Sequence, residues 1–266
     1  MLVLIRGAGD LATGVALRLH RCGFSLILTE LAAPTAVRRT VAFSDAVYRG
    51  SATVESVTSH LCQTEANVRA ALHAHIPAVI VDPTGASIAR YHPDVLVDAM
   101  LAKRNLGTRI SDAPLVGALG PGFTAGVDCH CVIETMRGHT LGRCIYEGSA
   151  LPNTGIPGNV GGYTRERVLY APAAGIFHGH FPIGAMVTAG SIVADVDGVP
   201  LRAEIAGCLR GILPDGISIS AGTKAGDIDP RCAREHCFTV SDKALAIGGG
   251  VLEAILHWRA EMEHKL

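Results

Sequence analysis

Residues 3–14, VLIRGAGDLATG, constrain this chain more than any other stretch. An apolar run too short for a helix enters a turn spaced Gly7-Ala8-Gly9-Asp10-Leu11-Ala12. It leaves as LATGVALRLHRC, Leu11 to Cys22, with apolar residues at helical spacing and Gly23 as the stop. G-x-G-x-x-A is the permitted variant of the dinucleotide fingerprint. Gly7 allows the sharp strand-to-helix turn, Gly9 lets a pyrophosphate approach the backbone, and Ala12 lets the helix sit close to the strands. The opening of the helix then offers unpaired N–H groups and the positive end of its dipole.

A second apolar strand, Ser25 to Thr29, ends at Glu30, twenty-one residues after Gly9. A ribose-binding carboxylate falls at that place. The spacing therefore predicts a nucleotide held by Gly7, Ala8, Gly9, Asp10, Leu11, Ala12 and Thr13, with Glu30 on the ribose. A purely structural turn is the alternative. Glu30 favours NAD over NADP, while Arg38-Arg39 either receive a 2′-phosphate or form a solvated basic turn.

Further on, Thr64 to His75 reads as a helix with a Thr N-cap and Ala78 to Val81 as a third strand. Pro93 to Asn105 reads as another helix, with Pro at its start and Gly107 beyond it. Leu115 to Gly122 and Cys131 to Met136 read as strands, and 148–163 as a turn-rich loop. Strands with little polar alternation, separated by helices, predict a parallel sheet covered on both faces.

From Val168 to Asp229 short strands recur, punctuated by glycine. GAMVTAGSIVADV (184–196) aligns with GISISAGTKAGDI (216–228), which predicts a small pseudo-symmetric β module. Ser241 to Arg259 reads as a helix capped by Ser241. Gly248-Gly249-Gly250 inside it costs helix stability and implies close backbone packing or a second phosphate contact, packing being preferred. The expected organisation is a Rossmann-like domain over 1–165, the β module over 166–232, and a helical segment over 233–266 that returns to the first domain.

The 266 residues carry a formal net charge of -1 and no Lys/Arg tract, which argues against nucleic-acid and anionic-membrane partners. Met1 to Ile5 is too short for a signal peptide, so a cytoplasmic protein is expected, with reduced thiols and a homo-oligomer permitted. Asp128-Cys129-His130-Cys131 brings soft ligands together, and Cys232, His236 and Cys237 are possible partners. The spacing matches no recognised zinc site, so structural cysteines come before a thiol site and no metal is expected. His130 and Asp82 are acid–base candidates by residue type only, and no catalytic residue is assigned.

Taken in order, RGAGDLATG (6–14), VRRTVAFSDAVY (37–48), IETMRGHTLGR (133–143), NTGIPG (153–158), GDIDPR (226–231) and SDKALAIGGGVLEAIL (241–256) resemble the selenium-dependent molybdenum hydroxylase accessory proteins. The resemblance implies a maturation factor that binds a dinucleotide or molybdopterin-type phosphate and docks on a molybdenum hydroxylase client. It places the family's nucleotide turn on Gly7, Gly9 and Ala12, its acidic strand end on Glu30 and its cysteine on Cys237. Cys129 and Cys131 stand where the family is expected to be apolar. The β module also looks like the sandwich of biotinyl and lipoyl carriers, but its hairpin, DVDGVPLRAEI, lacks the carrier lysine. The alternatives are a free-standing NAD(P)-dependent oxidoreductase and a nucleotide-sensing regulator.

Overall fold

Leu2–Arg6 is β1, a central strand buried on both faces, which is why its sequence shows no polar alternation. The computed structural model describes residues 1–264 and divides into two compact units. Among the described residues the first comprises Met1–Pro34, Ala42–Thr154 and 240–264, the second Thr35–Val41 and Gly155–Thr239.

In the first unit β1 is followed by α1 (Asp10–Arg21), β2 (Ser25–Glu30), α2 (Ala46–Arg49), β3 (Ser51–Val54), β4 (Val57–Leu61), α3 (Glu65–His73) and β5 (Ala78–Val81). Next come α4 (Ala86–Tyr91), β6 (Val95–Asp98), β7 (Leu115–Leu119), β8 (Thr124–Ala125), β9 (Cys131–Ile133), β10 (Cys144–Ile145) and β11 (Gly148–Ser149). Nine strands form one sheet in the order β10-β9-β7-β6-β1-β2-β5-β4-β3. Its inner strands run parallel, and the two edges are antiparallel pairs, β3 with β4 and β9 with β10. This is an α/β architecture with a large parallel-containing sheet.

Register explains one face of the core. Ala78, Ile27, Leu4, Leu96 and Val116 lie side by side across five strands and share a buried cluster with Val68 and Ala71 of α3. On the C-terminal side of the chain, α5 (Asp242–Glu263) packs on α1. The contact is backbone to backbone. A Cβ on Gly14 would lie 2.6 Å from the Ala244 Cβ, and one on Gly248 would lie 2.8 Å from the Gly14 carbonyl oxygen. Gly248 and Gly250 thus serve packing, and Ser241 caps the helix by accepting the Ala244 amide.

The expected helix over 93–105 is not formed. Val95–Asp98 is instead a strand between β1 and β7, and Leu101 and Lys103 adopt positive φ. Two β-branched residues in a fully buried run gain more in the sheet centre than helical spacing offers. Sequence reading also passes over the hairpin of β3 and β4. Its loop, Glu55-Ser56, lacks the usual Asn-Gly or Asp-Gly signal, and Glu55 itself takes φ 53°.

The second unit contains β12 (Val168–Tyr170), β13 (Gly175–Gly179), β14 (Met186–Val187), β15 (Ile192–Val196), β16 (Val199–Arg202), β17 (Gly207–Ile212), β18 (Ser218–Ile219) and β19 (Lys224–Asp229). They form two four-stranded sheets, ordered β16-β15-β13-β18 and β12-β19-β17-β14. The sequence repeat is visible in that pairing. β13, β14 and β15 of one half match β17, β18 and β19 of the other, and each half lends its middle strand to the opposite sheet. Thr35–Val41 completes this unit: the Ile212 amide donates to the Val37 carbonyl, and Arg39 Nε donates to the Ile212 carbonyl.

Candidate functional site at the carboxyl edge of the parallel sheet

From β1 the chain proceeds to β2 and β5 on one side of the sheet, whereas β6, β7 and β9 build outward on the other. The reversal places the topological switch point at the carboxyl ends of β1 and β6, the usual ligand position in open α/β sheets. The Gly7–Thr13 turn stands there. Gly7 has φ 100°, and a Cβ on it would lie 3.0 Å from the Ala99 carbonyl oxygen, so the fold itself requires this glycine. Gly9 is different. It opens α1 at φ -67°, ψ -175°, and a Cβ built there would meet nothing within 4 Å.

The remaining turn residues divide into two groups. Ala8, Leu11, Ala12 and Thr13 are buried. Thr13 Oγ1 donates to the Ala8 carbonyl and accepts the Phe43 amide at 2.9 Å, so it braces the turn from inside. Asp10 Oδ1 accepts the Leu11 amide at 2.9 Å, and Glu30 Oε2 accepts the Ala8 amide at 3.1 Å. Two carboxylates therefore already face the amino end of α1. Burial raises the Glu30 pKa, and the Leu31 and Ala8 amides oppose the rise.

Sequence reading missed Lys243, in the first turn of α5. A cation is out of place there against the helix dipole, and that was the available signal. Burial, and after it Arg137, push the Lys243 pKa below the ordinary lysine value, while Asp10, Glu134 and Asp242 pull it back. Lys243 thus sets a positive charge in the field of Asp10.

Behind the turn, Arg6 and Asp98 are adjacent on paired strands and almost fully buried. Arg6 Nη1 donates to Thr108 Oγ1 at 2.5 Å, and that hydroxyl donates to Asp98 Oδ2 at 2.6 Å.

A cavity of about 620 Å³ opens at the carboxyl ends of β4 and β5, between α3 and α4. Val68, Ile80 and Cys62 form apolar wall, and Thr84, Ser87 and Arg90 polar wall. Ala32, two residues after Glu30, is also in the lining, so the cavity begins where β2 ends.

Asp82, on the same rim, is a cap and not a base. Its Oδ1 accepts the Thr84, Gly85 and Ala86 amides, and its Oδ2 the Ser87 amide and hydroxyl. Burial alone would raise its pKa, but these hydrogen bonds prevail and hold it at about 2, below the ordinary 3.8. The stabilisation is therefore complete above about pH 4 and is lost as pH falls through about 2. Asp82→Asn is expected to cost about 1 kcal/mol, the worth of a lost cap. It should also flatten the stability profile between pH 4 and 2, read by denaturant unfolding at a series of pH values. An unchanged profile would remove this role. His130 is also structural: its Nδ1 accepts the Val116 amide at 2.9 Å, and burial lowers its pKa.

Cys129 and Cys131 are fully buried in the first unit, with pKa values raised, Cys129 by burial to about 12 and Cys131 first by its hydrogen bond with Cys144. Cys232, His236 and Cys237 belong to the second unit. No group of three or more metal-binding side chains suited to an ion is found among the described residues. Arg38 and Arg39 do not form a solvated turn. Arg38 is buried and donates to the His236 and Thr239 carbonyls, within the second unit. No helix among the described residues is long and apolar enough to cross a membrane.

No protein-family model matches the chain. Over 255 residues, 96% of its length, the chain is 50% identical to the "Uncharacterized protein YqeB" of Escherichia coli (strain K12). It spans about half of that relative, 47%. Solved structures with some likeness include an aspartoacylase family protein from Mesorhizobium loti (11% identity, TM-score 0.28) and the product-bound ectoine utilization protein EutE (DoeB) from Ruegeria pomeroyi (11%, 0.25). A succinylglutamate desuccinylase from Silicibacter is a third (12%, 0.25). Each comparison covers 85% of this chain and 84% of the other. At such TM-scores no activity passes from them to this chain.

These findings correct the family expectation. No family model matches, and the curated relative is described as uncharacterised, so the resemblance to the selenium-dependent molybdenum hydroxylase accessory proteins is not upheld. The maturation role is set aside on the same ground. So are the NAD(P)-dependent oxidoreductase, the regulator alternative, and the NAD(P)-binding Rossmann and selenium readings.

Proposed function

We propose that the first unit binds a phosphate-bearing small molecule of nucleotide size along the carboxyl edge of its parallel sheet. In this reading the phosphate sits before Gly9 with Lys243 offsetting Asp10, hydroxyl groups face Glu30, and the apolar part of the ligand enters the 620 Å³ cavity beside Ala32. Arg90 on the cavity wall supplies a further cation. The second unit is read as a barrel-sandwich-like module without a carrier lysine.

The observation that supports this most is Gly9. Its backbone angles suit any residue and the space before it is open, so nothing in the free fold calls for glycine. A ligand approaching the backbone would. Gly9→Val is therefore expected to leave stability within about 0.5 kcal/mol, as for a surface substitution. The same change should abolish ligand-induced stabilisation in a calorimetric and thermal-shift screen of nucleotides and phosphorylated metabolites. A wild-type chain that no such ligand stabilises, or a Gly9→Val chain stabilised equally, overturns the reading.

A further inference from the structure

Arg210 is out of keeping with the strand that carries it. In β17, Leu209 pairs with Ile228 and Gly211 with Asp227, so Arg210 is the extra residue of a β-bulge. Such bulges re-aim a side chain. The equivalent strand of the other half, β13, runs through the same stretch without one: Phe177 pairs with Val196, His178 with Asp195 and Gly179 with Ala194. The repeat therefore does not require the bulge, which re-aims Arg210 and leaves it without a partner in the ladder.

Arg210 has 7% of its surface exposed, and its Nε is buried with no hydrogen-bond partner. Its nearest carboxylate oxygen, Asp229 Oδ2, lies 3.7 Å away, beyond hydrogen-bond reach. That carboxylate is already engaged by Arg231, through Nε at 2.9 Å and Nη2 at 2.6 Å. Asp227 is paired with Arg167. His236 Nδ1 is also buried without a hydrogen bond, 3.9 Å from Asp229 Oδ2. Arg38 brings a second guanidinium near enough to lower the Arg210 pKa, after burial itself. A buried guanidinium with an unmet donor is costly unless an acceptor arrives.

We propose that Arg210, with Arg38 and His236 beside it, forms an oxyanion site in the second unit that takes a phosphate group, free or carried on a larger molecule. The planar fork of Arg210 suits two oxygens of one phosphate, and His236 Nδ1 can donate to a third. Of the groups around Asp229, the side chains of Arg231 and His236 are 44% and 38% exposed, so the cluster borders solvent. The site involves none of the residues of the candidate site in the first unit.

The test titrates the full chain with inorganic phosphate by calorimetry and follows the arginine Nε–H signals by NMR. Saturable binding is expected, together with a shifted and exchange-protected Arg210 Nε–H. A phosphomonoester that binds tighter than inorganic phosphate identifies the larger carrier, and equal binding identifies the free anion. Arg210→Gln should weaken binding about tenfold or more, and Gly9→Val should leave this event intact, which separates it from the first-unit site. If Arg210→Gln does not fold, the wild-type Nε–H signal still decides. An Arg210 Nε–H unmoved by saturating phosphate, or a folded Arg210→Gln chain that binds phosphate as the wild type does, overturns the proposal.

Discussion

Gly250→Ala is expected to destabilise the first unit by about 3 kcal/mol or more, while Gly249→Ala, one residue away, is expected to stabilise it by about 1 kcal/mol. A Cβ on Gly250 would lie 2.1 Å from the Gly142 carbonyl oxygen and 3.0 Å from Ile133 Cγ2. The contact is with backbone, so no side chain can swing aside. Gly142 is itself fixed, at φ 81°, with its own missing Cβ 2.6 Å from the Ala246 carbonyl oxygen. Helix and turn are seated in one another, and Cys144 Sγ adds a bond to the Gly250 carbonyl at 3.0 Å. Before Gly249 there is open space, so alanine there only recovers helix propensity. Denaturant unfolding of the two variants decides the matter. Equal stabilities, or the opposite ranking, would mean that α5 is not seated as described.

Asp98→Asn is the second change with a large expected effect, a loss of about 3–5 kcal/mol, because it leaves the Arg6 charge buried without its counter-ion. Thr108→Val, which cuts the hydroxyl link but keeps both charges, should cost about 1–3 kcal/mol. Burial raises the Asp98 pKa in spite of the Thr108 hydroxyl, the Met100 amide and Arg6. At Asp98, then, burial outweighs what these partners return. It follows that replacing both partners with apolar residues, Arg6→Met with Asp98→Leu, should come out near neutral or above the wild type. Urea unfolding of the single and double variants forms the cycle. Additive losses in the double variant would show that the two charges are not coupled.

The sequence signals that proved readable were those with a local physical cause. Thr64 and Ser241 cap their helices as their residue types require, the strand–turn–helix at Gly7 is where its spacing puts it, and the 184–196 and 216–228 repeat reappears as exchanged strands. What failed was decided by distant neighbours. Val95–Asp98 satisfies helical spacing, yet its place between β1 and β7 makes it a strand. Arg38 and Arg39 sit close after β2 in sequence, but their partners are 173 to 201 positions away. Lys243 and Arg210 were missed for the same reason: each is unusual only because of what the chain places around it. The apparent family series of motifs did not survive comparison with known proteins, although several of those motifs are sites of close backbone contact or charge pairing.

Thr35–Val41 has a consequence for how the polypeptide is made. During synthesis this arm leaves the ribosome long before the strand it must join, since Arg39 and Ile212 are 173 residues apart. Until that strand follows, the arm waits as an open end, with Val37 lacking the core it will join. Such long-range closure slows folding, and a fragment cut to residues 155–239 would be born without Val37 in its core.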